Sequence, residues 1–169
     1  MSVTIHTEHD LGSAPDAVWR VMQTFAAYPD WNPLHRRLEL DGPFCDGTPV
    51  RITMKMDAFT FRHRARLTDV DPAARQFAWV AQVGHVPGLY VVYRRFRIEG
   101  APGGSRLIQH EVGTGPVAAV LFAGGFMLPR VERAFGLLAA AVDRRAALST
   151  AGPAGAAPRG EASERRGVH

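Results

Sequence analysis

Cysteine and lysine are almost missing from this 169-residue chain: Cys45 and Lys55 each stand alone. A single thiol excludes an internal disulfide framework and a thiolate zinc cluster. It sits in a polar turn, Phe44-Cys45-Asp46-Gly47, with no local base to activate it, and reads as a spectator. No run reaches the roughly 18 to 20 apolar residues of a membrane-crossing helix, since the most apolar stretch, Pro116 to Leu128, is shorter and broken by glycines. The N-terminus has no basic head followed by an apolar stretch, so the expectation is a cytoplasmic protein without a secretion signal. A Gly-x-Ser-x-Gly elbow and a glycine loop feeding a helix are both lacking, as is metal-ligand spacing among the seven histidines. The reading therefore carries no metal and no cofactor.

The length suits one domain with a sizeable core. From Phe126 to Leu148 apolar residues recur at helical spacing: Leu128, Val131, Phe135, Leu138 and Val142 form one stripe, with Arg130, Arg133, Asp143 and Arg144 on other faces. Beyond Leu148 large apolar residues all but vanish, so the chain divides into a folded domain, 1–148, and a disordered tail, 149–169. A helix with such a stripe must lie on something, and what precedes it reads as strands.

Residues 2–8 alternate as a first strand. Ser13-Ala14-Pro15-Asp16 supplies a capping hydroxyl, a first-turn proline and an early carboxylate for a short helix, and Tyr28 to Pro33 suits a single helical turn. Strands follow with period two. Val50, Ile52, Met54 and Met56 share a face, as do Phe59, Phe61, His63, Ala65 and Leu67, and then Phe77, Trp79, Ala81 and Val83. Tyr90, Val92, Arg94, Phe96 and Ile98 continue the pattern, Gly100 to Gly104 turns the chain, and Leu107, Gln109 and Glu111 share a face of the last strand, whose sidedness stays open. Pro116 to Gly125 reads as a loose helical segment interrupted at Gly124-Gly125, the candidate hinge for ligand entry.

Local wording sharpens this. Ala14-Pro15-Asp16-Ala17-Val18-Trp19, Tyr28-Pro29-Asp30-Trp31-Asn32-Pro33, Gly47 ahead of a strand, Trp79, and Gln109-His110-Glu111-Val112-Gly113, in this order of elements, resemble the START-like helix-grip superfamily. The likeness is to its polyketide cyclase/dehydratase and lipid-transport branch. It implies an α+β helix-grip fold, in which a curved antiparallel sheet of about seven strands wraps a long C-terminal helix, with two short helices after strand one. It implies an apolar cavity between sheet and helix, and structural roles for Trp31 and Pro33.

With the Phe59, Phe77 and Leu107 rows facing inward, the cavity holds a few polar groups: His63, Tyr90, Arg94, Gln109 and Glu111. Candidate catalytic residues are His63 as acid or base, Arg94 or Tyr90 as donor to a developing enolate, and Glu111 as an orienting group. A lone histidine on an apolar face also serves as a hydrogen-bonded core residue, and a buried Arg94–Glu111 pair as mutual neutralisation. Candidate ligand contacts are Phe59, Phe61, Phe77, Trp79, Gln109, Val131, Phe135 and Leu138. The expected occupant is a small apolar, polyketide-like molecule that is cyclised or dehydrated; the alternative is a lipid or quinone that is carried or sensed. Arg51, Lys55, Arg62, Arg64, Arg66, Arg95 and Arg97 fall on the opposite face, where the readings are a solvated surface or docking of an acidic acyl carrier protein. Nucleic acid is disfavoured, because no aromatic residues interleave with these arginines.

Overall fold

The computed structural model describes residues 2–56, 59–83, 86–125 and 127–151, the side chain of Phe59 excepted. The elements are β1 (Ser2–Leu11), α1 (Pro15–Gln23), a 3-10 turn (Phe25–Ala27), α2 (Tyr28–Trp31), β2 (His35–Leu40), β3 (Pro49–Met56), β4 (Phe59–Asp71), β5 (Gln76–Val83), β6 (Val91–Ala101), β7 (Gly104–Thr114), α3 (Pro116–Ala123) and α4 (Met127–Thr150). All seven strands form one antiparallel sheet in the order β1-β7-β6-β5-β4-β3-β2. Because β7 bridges β1 and β6, the first and last strands meet, and β2 and β1 are left as the edges. This is the expected helix-grip architecture, with α4 packed across the sheet.

Alternation decides which face each residue takes. On β7 the open question is settled: Leu107, Gln109 and Glu111 are buried while Ile108 and His110 are half-exposed. The turn before β7 is tighter than expected, since Ala101 pairs with Gly104 across Pro102-Gly103 alone and Gly103 takes φ 80°. Gly104 must stay a glycine for a second reason. A Cβ there would collide with the Leu11 carbonyl oxygen.

Three local expectations change. Ser13 does not cap α1: Ala14 occupies the N-cap without a side-chain bond, and the Ser13 hydroxyl donates instead to the Asp143 carbonyl of α4 at 3.2 Å. The amides of Gly12 and Ser13 donate to the Asp143 carboxylate at 3.2 and 3.0 Å, so this residue clasps the β1–α1 corner rather than facing solvent. Leu128 is 38% exposed, and the buried stripe of α4 begins at Val131. α4 also runs through Thr150, two residues past the expected start of the tail, and residues 152–169 lie outside the described part.

The core beneath α1 is aromatic. Phe77 is fully buried against Trp19, Phe25, Phe44, Trp79 and Phe96, with ring centroids 5.1 to 6.0 Å apart. Tyr28, the first residue of α2, is also fully buried, donating its hydroxyl to the Met22 carbonyl at 2.7 Å and packing its ring at a tilt against Trp31. No helix among the described residues is long and apolar enough to cross a membrane.

Candidate functional site

At the other end of the sheet the packing stops short of closing. A cavity of about 90 Å³ lies between β3–β7 and the first turns of α4, with α3 contributing Leu121. Its walls are mostly apolar: Ile52, Met54, Met56 and Phe61 from β3 and β4, Trp79, Ala81 and Val83 from β5, Val92 from β6, and Met127, Val131, Ala134 and Phe135 from α4. Five polar side chains join them: His35, His63, Tyr90, Arg94 and Glu111. Three unbranched methionines in one lining leave it able to reshape around a larger guest.

Arg94 and Glu111 are partners in the β6–β7 register, which places both on the inner face. Arg94 is 4% exposed and Glu111 8%. Arg94 Nη2 donates to Gln109 Oε1 at 3.0 Å, and Gln109 Nε2 in turn donates to the Phe135 carbonyl at 3.1 Å, tying the guanidinium to α4. The guanidinium lies over the Phe135 ring, 4.0 Å from its centroid, and 4.9 Å from that of Phe96. Its Nε is 3.9 Å from Glu111 Oε2, too far for a hydrogen bond, and is buried without a partner. The pair thus attracts without saturating its donors.

Burial sets the protonation states. It pushes the Glu111 carboxyl above its usual range, with Arg94 pulling back only in part. Burial and the charge of Glu111 hold Tyr90 as a neutral phenol, its pKa pushed up to about 12. His63 is driven below the usual imidazole range by burial and is neutral near pH 7, its Nδ1 buried and unpartnered. His35 goes further, down to about 3, through burial and then repulsion by Arg94 and His63. The site therefore combines one cation, one carboxyl of raised pKa, two neutral imidazoles and one phenol around an apolar space.

Of the expected contacts, Phe61, Trp79, Val131 and Phe135 line the cavity together with His63, Tyr90, Arg94 and Glu111. Gln109 is fully buried behind Arg94 and positions it without reaching the space. Phe77 and Leu138 are corrected to the packed core, because the α1 end of the sheet is filled by neighbouring rings. The Phe59 side chain lies outside the described residues. His35 was missed. A β-bulge between His35 and Arg37 breaks the alternation of β2, turning His35 to the same interior as Leu38 three residues on. The available signal was Asn32, whose side chain accepts the amides of Leu34 and His35 at 2.9 and 3.1 Å and sets the entry to β2. Among the described residues, no three His, Cys, Asp or Glu side chains converge as a metal site needs.

No curated protein matches the chain. Solved structures do. A Streptomyces aromatase/cyclase superposes with a TM-score of 0.73 at 17% identity, covering 91% of this chain and 100% of its own. A point mutant of norcoclaurine synthase from Thalictrum flavum, in complex with a transition-state analogue, gives 0.66 at 15% identity, covering 89% and 97%. A Thermus thermophilus protein gives 0.69 at 11%, covering 89% and 99%. At such identities these likenesses speak for the fold. The family model for polyketide cyclase/dehydrase and lipid transport matches residues 2–146, nearly the whole described domain, and the chain belongs to that family.

Proposed function

We propose that the protein binds a small apolar, polyketide-like molecule in the cavity and catalyses its cyclisation, dehydration or a related proton transfer. The observation that carries this reading is the division of polar groups across an otherwise apolar space. Neutral His35 and His63 stand on the β2–β4 side, and Tyr90, Arg94 and Glu111 on the β6–β7 side. An enolisable ketone held between them loses its α-proton to the neutral imidazole of His63, which lines the cavity. The enolate oxygen that forms is stabilised by the Tyr90 phenol as donor and by the positive charge of Arg94, both in the cavity lining. Glu111 balances Arg94, and in dehydration the proton on His63 leaves with the departing hydroxyl as water. Holding a flexible chain in one fold supplies the larger part of the effect.

His63→Ala and Glu111→Gln are each expected to lower turnover by about 100-fold or more while the circular dichroism spectrum stays native. Full activity in both variants would remove these residues from the mechanism. The second reading, a non-catalytic carrier of a lipid or quinone, is favoured by how little of the lining is polar. Native mass spectrometry of protein from its own host separates the two: a rearranged product supports the enzyme, an unaltered apolar compound the carrier.

Delivery of the substrate by an acidic acyl carrier protein is the partner we propose for the outer face of the sheet. Arg62, Arg64 and Arg66 stand in a row there on β4, three like charges that suit an anionic partner, while Arg51, the register partner of Arg64, is already neutralised by Asp41 at 3.2 Å. Reversing Arg62, Arg64 and Arg66 to Glu should abolish turnover of the carrier-bound substrate and leave binding of a free ligand unchanged.

A further inference from the structure

A second depression opens beside the cavity, between α4 and the sheet edge formed by β2 and β3, with a volume of about 520 Å³. Four cations line it, Arg36 and Lys55 from the sheet edge and Arg130 and Arg133 from α4, and no carboxylate does. Elsewhere on this edge the arginines are neutralised, Arg37 by Glu39 at 2.7 Å and Arg51 by Asp41 at 3.2 Å. Arg36, Lys55 and Arg133 have no ion pair among the described residues. Met56 and Ala134 belong to both linings, so the cationic depression and the apolar cavity meet at these two side chains. The sequence places the four cations on three elements, where no local pattern joins them.

We propose that this depression holds an anionic head, phosphate or carboxylate, carried by the ligand whose apolar part fills the cavity. The inference rests on the cavity being a ligand site. Its physics is direct. An apolar chain passing between Met56 and Ala134 leaves water, while its charged end stays hydrated at the mouth beside Arg36, Lys55 and Arg133, which have no ion pair among the described residues. Each exposed charge contributes little, but three acting on one anion sum to about a tenfold gain in affinity at low salt. The free ligand's own charge is meant here, in contrast to the carrier protein assigned to the opposite face of the sheet.

The test is isothermal titration of the full chain with octyl phosphate, octanoate, octan-1-ol and inorganic phosphate. Octyl phosphate or octanoate should bind about tenfold more tightly than octan-1-ol, and the better of the two names the head group. The advantage should shrink as salt is raised through about 0.15 M. It should vanish in Arg36→Gln/Lys55→Gln/Arg133→Gln, with octan-1-ol affinity unchanged as the control for folding. Equal binding of the octyl compounds, an advantage that survives the triple substitution, or inorganic phosphate binding as tightly as octyl phosphate would overturn the proposal. If no octyl compound binds, the cavity reading falls as well, whereas octan-1-ol binding without a gain from charge removes the head-group site alone.

Discussion

The two ends of one sheet face are built from the same alternation yet finish differently. Under α1, Phe77, Trp79 and Phe96 meet Trp19, Phe25 and Phe44, and every gap is filled by a ring. Beneath the first turns of α4, Met54, Met56, Phe61 and Val83 remain half-buried around empty space. The packed end secures the fold, and so the open end can place a cation, a carboxyl and two imidazoles in a low-dielectric space that would otherwise be filled by hydrocarbon.

The contrast is sharpest in what substitution costs. Phe77→Ala should remove about 3–5 kcal/mol from the unfolding free energy in denaturant titration, because its neighbours are rings that cannot collapse into the hole. Met56→Ala should cost well under half of that, since the residue already borders open space; its effect should appear as acceptance of bulkier ligands. Equal losses in the two variants would erase the distinction between the ends.

Next in size is the charge pair. Arg94→Met leaves Glu111 buried beside no cation and should cost about 3 kcal/mol at pH 8. A carboxyl whose folded pKa is raised gains stability as pH falls, so the loss should shrink progressively as the pH is lowered from 8 and Glu111 takes up a proton. Arg94→Met/Glu111→Leu should recover most of the stability and none of the activity.

The histidines give a signal of opposite sign. His35 is neutral in the fold down to about pH 3 but binds a proton in the unfolded chain below about 6.5. Its contribution is therefore whole above that range and is lost progressively as pH falls toward 3, at up to about 1.4 kcal/mol per unit. His63, shifted the same way, adds to the slope. His35→Gln should flatten the decline of melting temperature between pH 6.5 and 4, and an unchanged slope would place the titrating group elsewhere.

Most of the sheet was legible because its period of two is clean: the Val50–Met56, Phe77–Val83 and Tyr90–Ile98 rows all face inward. The hairpin puts Arg94 opposite or diagonal to Gln109 and Glu111 on one face, and the register makes Glu111 the direct partner. What stayed hidden involves chain at a distance or a break in period. His35 needed the bulge of β2. The Ser13 hydroxyl reads locally as a cap and is diverted by Asp143, 130 residues away. Leu128 keeps the helical stripe, yet it is 38% exposed while Met127 beside it packs towards Ile5 of β1. The cationic depression joins residues from β2, β3 and α4, and only the fold makes them neighbours.

The Asp143 clasp gives α4 the mechanics of a cantilever. The helix is bolted at Asp143 to the β1–α1 corner and pinned again where Gln109 holds the Phe135 carbonyl. Beyond that pin, the arm from Phe135 back to Met127 is about 12 Å long, carries Val131 and Met127 of the cavity wall and rests on a small cluster around Ile5 of β1. Ahead of it stands Gly125, at φ 70° and with open space where a Cβ would sit. A tilt of about 10° at the pin moves the tip by about 2 Å. Such a tilt would widen the cavity while Leu138 and Val142, on the far side of the pin, keep their places in the core.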